Sequence, residues 1–338
     1  RDCLLSRGLG DVYKRQSMRS VIWVSRLSVF RWLAALLCAS LLWPAAQAQD
    51  AKTLRIGFQK YGTLTIVRAL GDLDKRLAAQ GITVKWTEFP AGPQLLEGLN
   101  VGSIDFGTVG EAPPVFAQAA GAALVYVGNE PPSPTSEAIL VPKDSAIKSV
   151  ADLKGKKVAL NKGSNVHYLL VKQLERAGVA YGDVNVAYLT PADARAAFER
   201  GSVDAWVIWD PFQAAAEKQL GARVLADGTG VVKNYQFFLA ARAYEKAHPE
   251  VIRTVLDEVR KGDLWARDHR AEAVALLQPV LGLDKAVVEL AADRLAYGVQ
   301  PITREVLQEQ QQVADAFHAL KLIPTPLNVF DAAPSDLK

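Results

Sequence analysis

From residue 54 onward the chain alternates short apolar runs with longer stretches in which apolar residues return every three or four positions. A strand buried on both faces reads as a short continuous apolar run, and a helix covering it reads with helical spacing. Apolar runs predict strands at 54–58, 82–88, 104–108, 124–128, 158–160, 184–189, 205–208 and 223–225, with helical stretches between them. That alternation predicts an α/β protein whose sheets are mostly parallel and flanked by helices. Beyond about residue 242 the pattern turns helical as far as 322, and from Pro324 it reads as an extended tail ending in 331–338.

One strand-to-helix junction carries chemistry. In 158–168, VALNKGSNVHY, an apolar run enters the turn Asn161-Lys162-Gly163-Ser164-Asn165, and Val166, Leu169, Leu170, Leu174 and Ala177 follow at helical spacing. The first turn of a helix leaves N–H groups unpaired and carries partial positive charge, so an anion can sit there. Gly163 lets the backbone come close, and Ser164 or Asn165 can cap the helix or donate to the anion. A well-capped helix without a ligand has the same local pattern, and the turn is neither a Walker loop nor a dinucleotide fingerprint.

The chain also repeats itself. Gln59-Lys60-Tyr61-Gly62-Thr63 follows one apolar run as Asn161-Lys162-Gly163-Ser164-Asn165 follows another, in the order amide, lysine, small residues, helix. Gly102-Ser103-Ile104-Asp105-Phe106 matches Gly201-Ser202-Val203-Asp204-Ala205 at an offset of 99, which also aligns Glu111 with Asp210, each opening a helix with Pro113 or Pro211 in its first turn. A five-residue match arises readily by chance, whereas two motifs in one order point to two copies of an α/β unit. Open α/β sheets bind ligands at the carboxyl ends of their strands. If the units face each other, loops 59–63, 108–113, 161–165 and 207–212 line one cleft. The expected lobes are 49–137 plus 240–330 and 138–239, with connections near 135–141 and 235–240 acting as hinges.

Composition sharpens this once the N-terminus is set apart. Residues 1–17 precede the only methionine, Met18, and show no coherent periodicity, so they read as upstream sequence. Arg19, Arg26 and Arg31, the apolar run 32–43 and Ala46-Gln47-Ala48 fit the three regions of a secretory signal, with cleavage expected after Ala48. The apolar run is short of the roughly 20 residues a spanning helix needs. Residues 1–48 hold 7 of the 39 Lys+Arg and 2 of the 36 Asp+Glu, which leaves 32 and 34 and a net charge of −2 in place of +3. No positive field then favours nucleic acid, and none is expected as a partner. Cys3 and Cys38 leave with the same segment, so the mature chain has neither disulfide nor thiol nucleophile. His167, His248, His269 and His318 lack the close spacing of a metal site, and neither metal nor cofactor is expected.

The cleft loops supply donors at Gln59, Lys60, Thr63, Asn161, Lys162, Ser164 and Asn165, and apolar neighbours at Tyr61, Pro113, Pro114, Phe116, Trp209 and Phe212. That mixture suits an anionic head with a short apolar tail. Four charge-assisted hydrogen bonds at ~1.5 to 3 kcal/mol each reach micromolar affinity, ~8 kcal/mol, after some loss to ordering. Trp206 reads as core, Lys60, Lys162 and His167 read equally well as surface residues, and Glu111 and Asp210 sit awkwardly beside an anion unless they complement helix ends or meet a ligand amine. Nothing near Ser164 and His167 suggests the third group of a hydrolase triad.

The runs TEFPAGPQLLEGLNVGSIDFG at 87–107, EPPSPTSEAILVP at 130–142 and GSVDAWVIWDP at 201–211, with the opening turn at 161–165, resemble the periplasmic aliphatic sulfonate-binding proteins of bacterial ABC importers, and the similarity runs through about 50–330. The resemblance implies a two-lobed type II periplasmic binding fold, capture of an alkanesulfonate, and delivery to a membrane permease with its ATPase for sulfur acquisition. The protein is expected to act as a monomer. Relatives bind taurine, nitrate or thiamine precursors, which leaves taurine or nitrate as the alternative solute, and desulfinase-like enzymes of this fold use a cysteine that the mature chain lacks. Position in the motifs carries the ligand contacts onto Gln59, Gly110, Glu111, Ser136, Gly163, Ser164, Asn165, Trp209 and Asp210. A sulfonate fits such a site because its three oxygens share one charge that persists at physiological pH, so it asks only for donors.

Overall fold

The structure is a computed structural model that describes residues 53–335 and Leu337; the signal segment and its cleavage site lie outside the described residues. Strand β1 (Thr53–Phe58) leads into helices α1 (Thr63–Leu70) and α2 (Asp72–Ala78), β2 (Thr83–Glu88) into α3 (Gly92–Asn100), and β3 (Phe106–Gly110) into α4 (Ala112–Ala119), after which comes β4 (Leu124–Asn129). The second half runs β5 (Glu137–Val141), β6 (Lys157–Leu160), α5 (Asn165–Arg176), β7 (Asn185–Tyr188), α6 (Pro191–Glu199), β8 (Ala205–Trp209), α7 (Phe212–Leu220), β9 (Arg223–Asp227). Strand β10 (Gln236–Ala241) then precedes α8 (Arg242–Ala247), α9 (Pro249–Asp268), α10 (Arg270–Leu281), α11 (Lys285–Arg294) and α12 (Arg304–Ala319).

These strands make two mixed sheets of identical plan, β2-β1-β3-β10-β4 and β7-β6-β8-β5-β9. In the first, β1 lies parallel to β2 and β3, and β10 runs antiparallel between β3 and β4; in the second, β6, β7, β8, β5 and β9 repeat the arrangement. Burial follows position. Every residue of β3 and β8 is buried, whereas the edge strands β2 and β7 contain none that is.

The repeated Gly-Ser-apolar-Asp motif has one structural job in both sheets. Asp105 takes the Arg55 N–H on Oδ2 at 2.9 Å while its own N–H bonds the Arg55 carbonyl at 2.8 Å. Asp204 does the same to Lys157, at 2.7 and 2.8 Å. Each carboxylate thus fixes the register between two neighbouring parallel strands, β1 and β3 in the first sheet and β6 and β8 in the second. Gly102 and Gly201, with φ of 71° and 65°, supply the left-handed turn that brings each Asp to its partner.

Three expectations need correction. The segments 135–141 and 235–240 are not hinges for most of their length: Glu137–Val141 and Gln236–Ala241 are the antiparallel strands of the two sheets. Strand β10 accordingly pairs within the first sheet, although a boundary at 239/240 assigns most of it to the second lobe. The chain crosses between sheets at 130–136 and 228–235, and the crossings bond each other, Ser133 N to Lys233 O at 3.0 Å and Gly228 N to Pro134 O at 2.9 Å. The C-terminal segment is also no free tail. Val329, Ala332 and Ala333 are 0 to 2% exposed, packed by a single 3-10 turn. Among the described residues no helix is long and apolar enough to cross a membrane, and no cluster of His, Cys, Asp and Glu is placed to hold a metal.

Candidate functional site

The carboxyl ends of the parallel strands of both sheets point at one another. Between them lies a cavity of about 240 Å³, walled from the first sheet by Gln59, Lys60, Tyr61, Glu88, Phe89 and Pro90 and from the second by Thr190, Pro191, Ala192, Trp209 and Phe212. Trp209 is 5% exposed, stands edge-on to Phe212 with centroids 6.3 Å apart, and makes no hydrogen bond through its indole N–H within the described residues. Gln59 Nε2 is held by the Thr108 carbonyl at 3.1 Å, which fixes the side chain on the wall. Lys60 is half-exposed and stands 3.7 Å from Glu88. The amino ends of α3 and α6 close the cavity behind Pro90 and Pro191, adding the partial positive charge of two helix ends.

The cavity includes two regions that the sequence reading left out, 88–90 after β2 and 190–192 after β7. A signal for them exists. Pro90-Ala91 and Pro191-Ala192 follow their strands at nearly the same offset as the other repeats, the first pair just before a helix and the second opening one.

Of the nine contacts carried over by the resemblance, Gln59 and Trp209 line this cavity, and so do Lys60, Tyr61 and Phe212, expected among the cleft's donors and apolar neighbours. Gly110, Ser136 and Asn165 lie outside its lining, where the two halves touch, and Glu111 lines a separate cavity of about 440 Å³ with Tyr168, Tyr235 and Gln310. A Cβ on Gly110 would stand 2.7 Å from Asn165 Oδ1, so only a bare backbone allows this approach. Asn165 Nδ2 donates to Glu137 Oε2 at 2.6 Å and to Asn234 Oδ1 at 2.9 Å, which occupies both amide protons. Ser136 braces the crossing segments, its Oγ lying 3.0 Å from Tyr61 Oη and receiving Asn234 Nδ2 at 3.0 Å. Glu111 Oε2 accepts the Tyr235 N–H at 3.2 Å.

The turn at 161–165 is tied to its own helix. Ser164 Oγ donates to the Asn161 carbonyl at 2.7 Å, and the Gly163 N–H donates to Nδ1 of His167 at 3.2 Å. An Nδ1 that accepts a bond leaves the proton on Nε2, which lies 2.7 Å from Tyr181 Oη. His167 is therefore no surface residue. It is fully buried, and burial together with the nearby Lys162 charge lowers its pKa to about 4. Trp206 is fully buried, as expected of core. Lys162 reaches over the Tyr188 ring at 5.4 Å.

Carboxylates crowd the junction. Burial raises Glu111 to about 7 and Glu137 well above the usual carboxylate range, the charge of Glu111 adding to the effect on Glu137. Asp210 also rises to about 7 by burial, against the pull of Arg294, which stands 3.5 Å away and bonds Glu217 at 2.8 Å. Its Oδ1 caps α7 through the Ala214 N–H at 3.0 Å.

Two sheets of one plan, joined by paired crossings and enclosing a cavity at the carboxyl ends of their strands, define a two-lobed solute-binding protein of type II. The model of the NMT1/THI5-like family matches residues 77–273. An alkanesulfonate-binding protein of Xanthomonas axonopodis pv. citri, solved with MOPS bound, is 44% identical, with a TM-score of 0.80 over 85% of this chain and 99% of that one. The periplasmic aliphatic sulphonate binding protein of Escherichia coli is 46% identical, with a TM-score of 0.75 over 83% of this chain and 97% of that one. A taurine-binding periplasmic protein of Escherichia coli (strain K12) is 28% identical over 222 residues, 64% of this chain and 67% of that protein. The chain belongs to the NMT1/THI5-like family and, within it, to the aliphatic sulfonate-binding proteins.

Proposed function

We propose that this chain is the solute-capturing component of an ABC importer, that it binds aliphatic sulfonates in the periplasm, and that it hands them to a membrane permease driven by an ATPase. The observation that carries the reading is the cavity of about 240 Å³ in which Gln59, Lys60 and Trp209 stand among aromatic and proline walls. The sulfonate head takes Trp209 Nε1 and the amino ends of α3 and α6, and the alkyl chain lies against Phe89, Pro90 and Phe212. In a cleft opened by the width of a ligand, the Gly110-Glu111 and Gly163-Ser164-Asn165 turns, with Ser136 and Asp210 behind them, meet the head group from either side. The crossings at 130–136 and 228–235 are the hinges of that motion. The segment ending at Ala48 directs export and is removed in the course of it.

Glu88 on the cavity wall favours a second reading, an amino-sulfonate such as taurine, whose ammonium would face that carboxylate. Calorimetry with ethanesulfonate, taurine, sulfate and nitrate decides between them. Ethanesulfonate is expected to bind without turnover, and absence of binding to every alkanesulfonate overturns the proposal. A preference for taurine establishes the second reading. Trp209→Phe, and separately Ser164→Ala with Asn165→Ala, should each weaken ethanesulfonate by at least ~1.5 kcal/mol, the lower value of a hydrogen bond to a charged group.

A further inference from the structure

We infer that the cleft has a second, mainly apolar compartment that takes the far end of the ligand's tail and so sets the length of chain the protein prefers. This rests on the sulfonate reading above. A cavity of about 30 Å³ lies across Lys60 and Tyr61 from the main one, closed by Leu277 and Leu281 of α10 and Val288 and Ala292 of α11. The two cavities share Lys60 and Tyr61 as walls, and the turn 209–212 separates them, with Trp209 and Phe212 lining the larger and Pro211 the smaller.

Their chemistry divides a ligand into head and tail. The α10 and α11 wall of the smaller cavity offers no donor, and Thr65 of α1, which also lines it, spends its hydroxyl proton on the Gln59 carbonyl at 2.8 Å, so a sulfonate entering would shed its water without replacement, while a methylene chain gains by leaving water. Tyr61 is held in place by its contact with Ser136 Oγ at 3.0 Å, so the ring forms a fixed partition. The Lys60 side chain is 47% exposed and paired only loosely with Glu88, so it can swing aside and admit the tail. A volume near that of one water in the liquid accepts about one carbon, and further carbons need the half-buried Leu281 to yield.

The test is calorimetry of linear alkanesulfonates from ethane to octane on the full chain, on Leu281→Ala and on Ala292→Leu, with thermal melts to confirm folding. Affinity should rise about four-fold for each methylene that enters the compartment, from ~0.8 kcal/mol per buried CH₂, and then level off. Leu281→Ala should move the plateau to longer chains and Ala292→Leu to shorter ones, with ethanesulfonate affinity unchanged in both. Leu281 lies at a helix end, so its variant carries the test alone if the fuller Ala292→Leu core does not fold. Ethanesulfonate binding with the same chain-length profile in the parent and the folded variants overturns the compartment and leaves the function standing. Failure of the parent to bind ethanesulfonate overturns both.

Discussion

Replacing His167 with Phe isolates what a buried neutral imidazole contributes. Phe keeps the ring among Phe116, Tyr181, Tyr188 and Phe317, but it leaves the Gly163 N–H without an acceptor. Tyr181 retains Tyr188 Oη at 3.1 Å, so one buried donor is orphaned and the expected cost at pH 7.5 is about 1 to 3 kcal/mol. Acid then changes the comparison. The histidine titrates near 6.5 when unfolded and near 4 when folded, so between those values the unfolded chain binds more protons and the parent loses stability as pH falls. At pH 5 that loss is about 2 kcal/mol, and the variant does not suffer it. The buried acids titrate in both proteins and largely cancel in the difference. Urea denaturation at the two pH values should therefore show the gap between parent and variant shrinking by about 2 kcal/mol on acidification. A gap that is constant, or wider at pH 5, would refute the role of His167 as a neutral acceptor.

Two further outcomes follow from the junction between the halves. Gly110→Ala places a methyl where Asn165 Oδ1 stands, so full closure should cost about 1 to 3 kcal/mol, read as a roughly 10-fold weaker Kd for ethanesulfonate with little change in melting temperature; unchanged affinity would mean that the two turns need not meet. Arg294→Ala removes the cation beside the raised Asp210 carboxyl, and stability should drop by about 3 kcal/mol at pH 8 but less at pH 5, where Asp210 is neutral in the fold; equal losses at both pH values in urea melts would exclude that coupling.

Much of this architecture is legible in the chain, and the parts that are not share a cause. The parallel strands announce themselves as apolar runs followed by helices, and the offset of 99 finds the Asp105 and Asp204 register clamps without revealing that they bind Arg55 and Lys157. EAILV and QFFLAA are as apolar as any central strand. Nothing local says whether such a run crosses between sheets or lies within one, because that is decided by partners distant in sequence. The same limit hid His167. A histidine one helical turn beyond a glycine turn is solvated or buried according to what packs above it, and here Phe116 and Phe317 come from elsewhere in the chain. The site was half legible for a related reason. Residue type marks donors, but whether a donor is free depends on its neighbours, and Asn165, Ser164 and Gly163 are each engaged by the protein while Trp209 is not.

The antiparallel strand of the first sheet also dictates when the protein can fold. Strand β10 separates β3 from β4 in the first sheet, yet it follows every strand of the second in the chain. A growing polypeptide that has emerged only as far as Asp227 holds β3 and β4 with no strand between them, and their edges stay open until Phe237 reaches Val109 and Asn129. Such distant pairing must close a long loop before it gains any contact, which makes the nucleus late and the transition slow. The first sheet therefore stays incomplete until the second has nearly all emerged, with β1, β2 and β3 able to pair but β4 detached from them, so the finished fold is reached only when almost the whole chain is available.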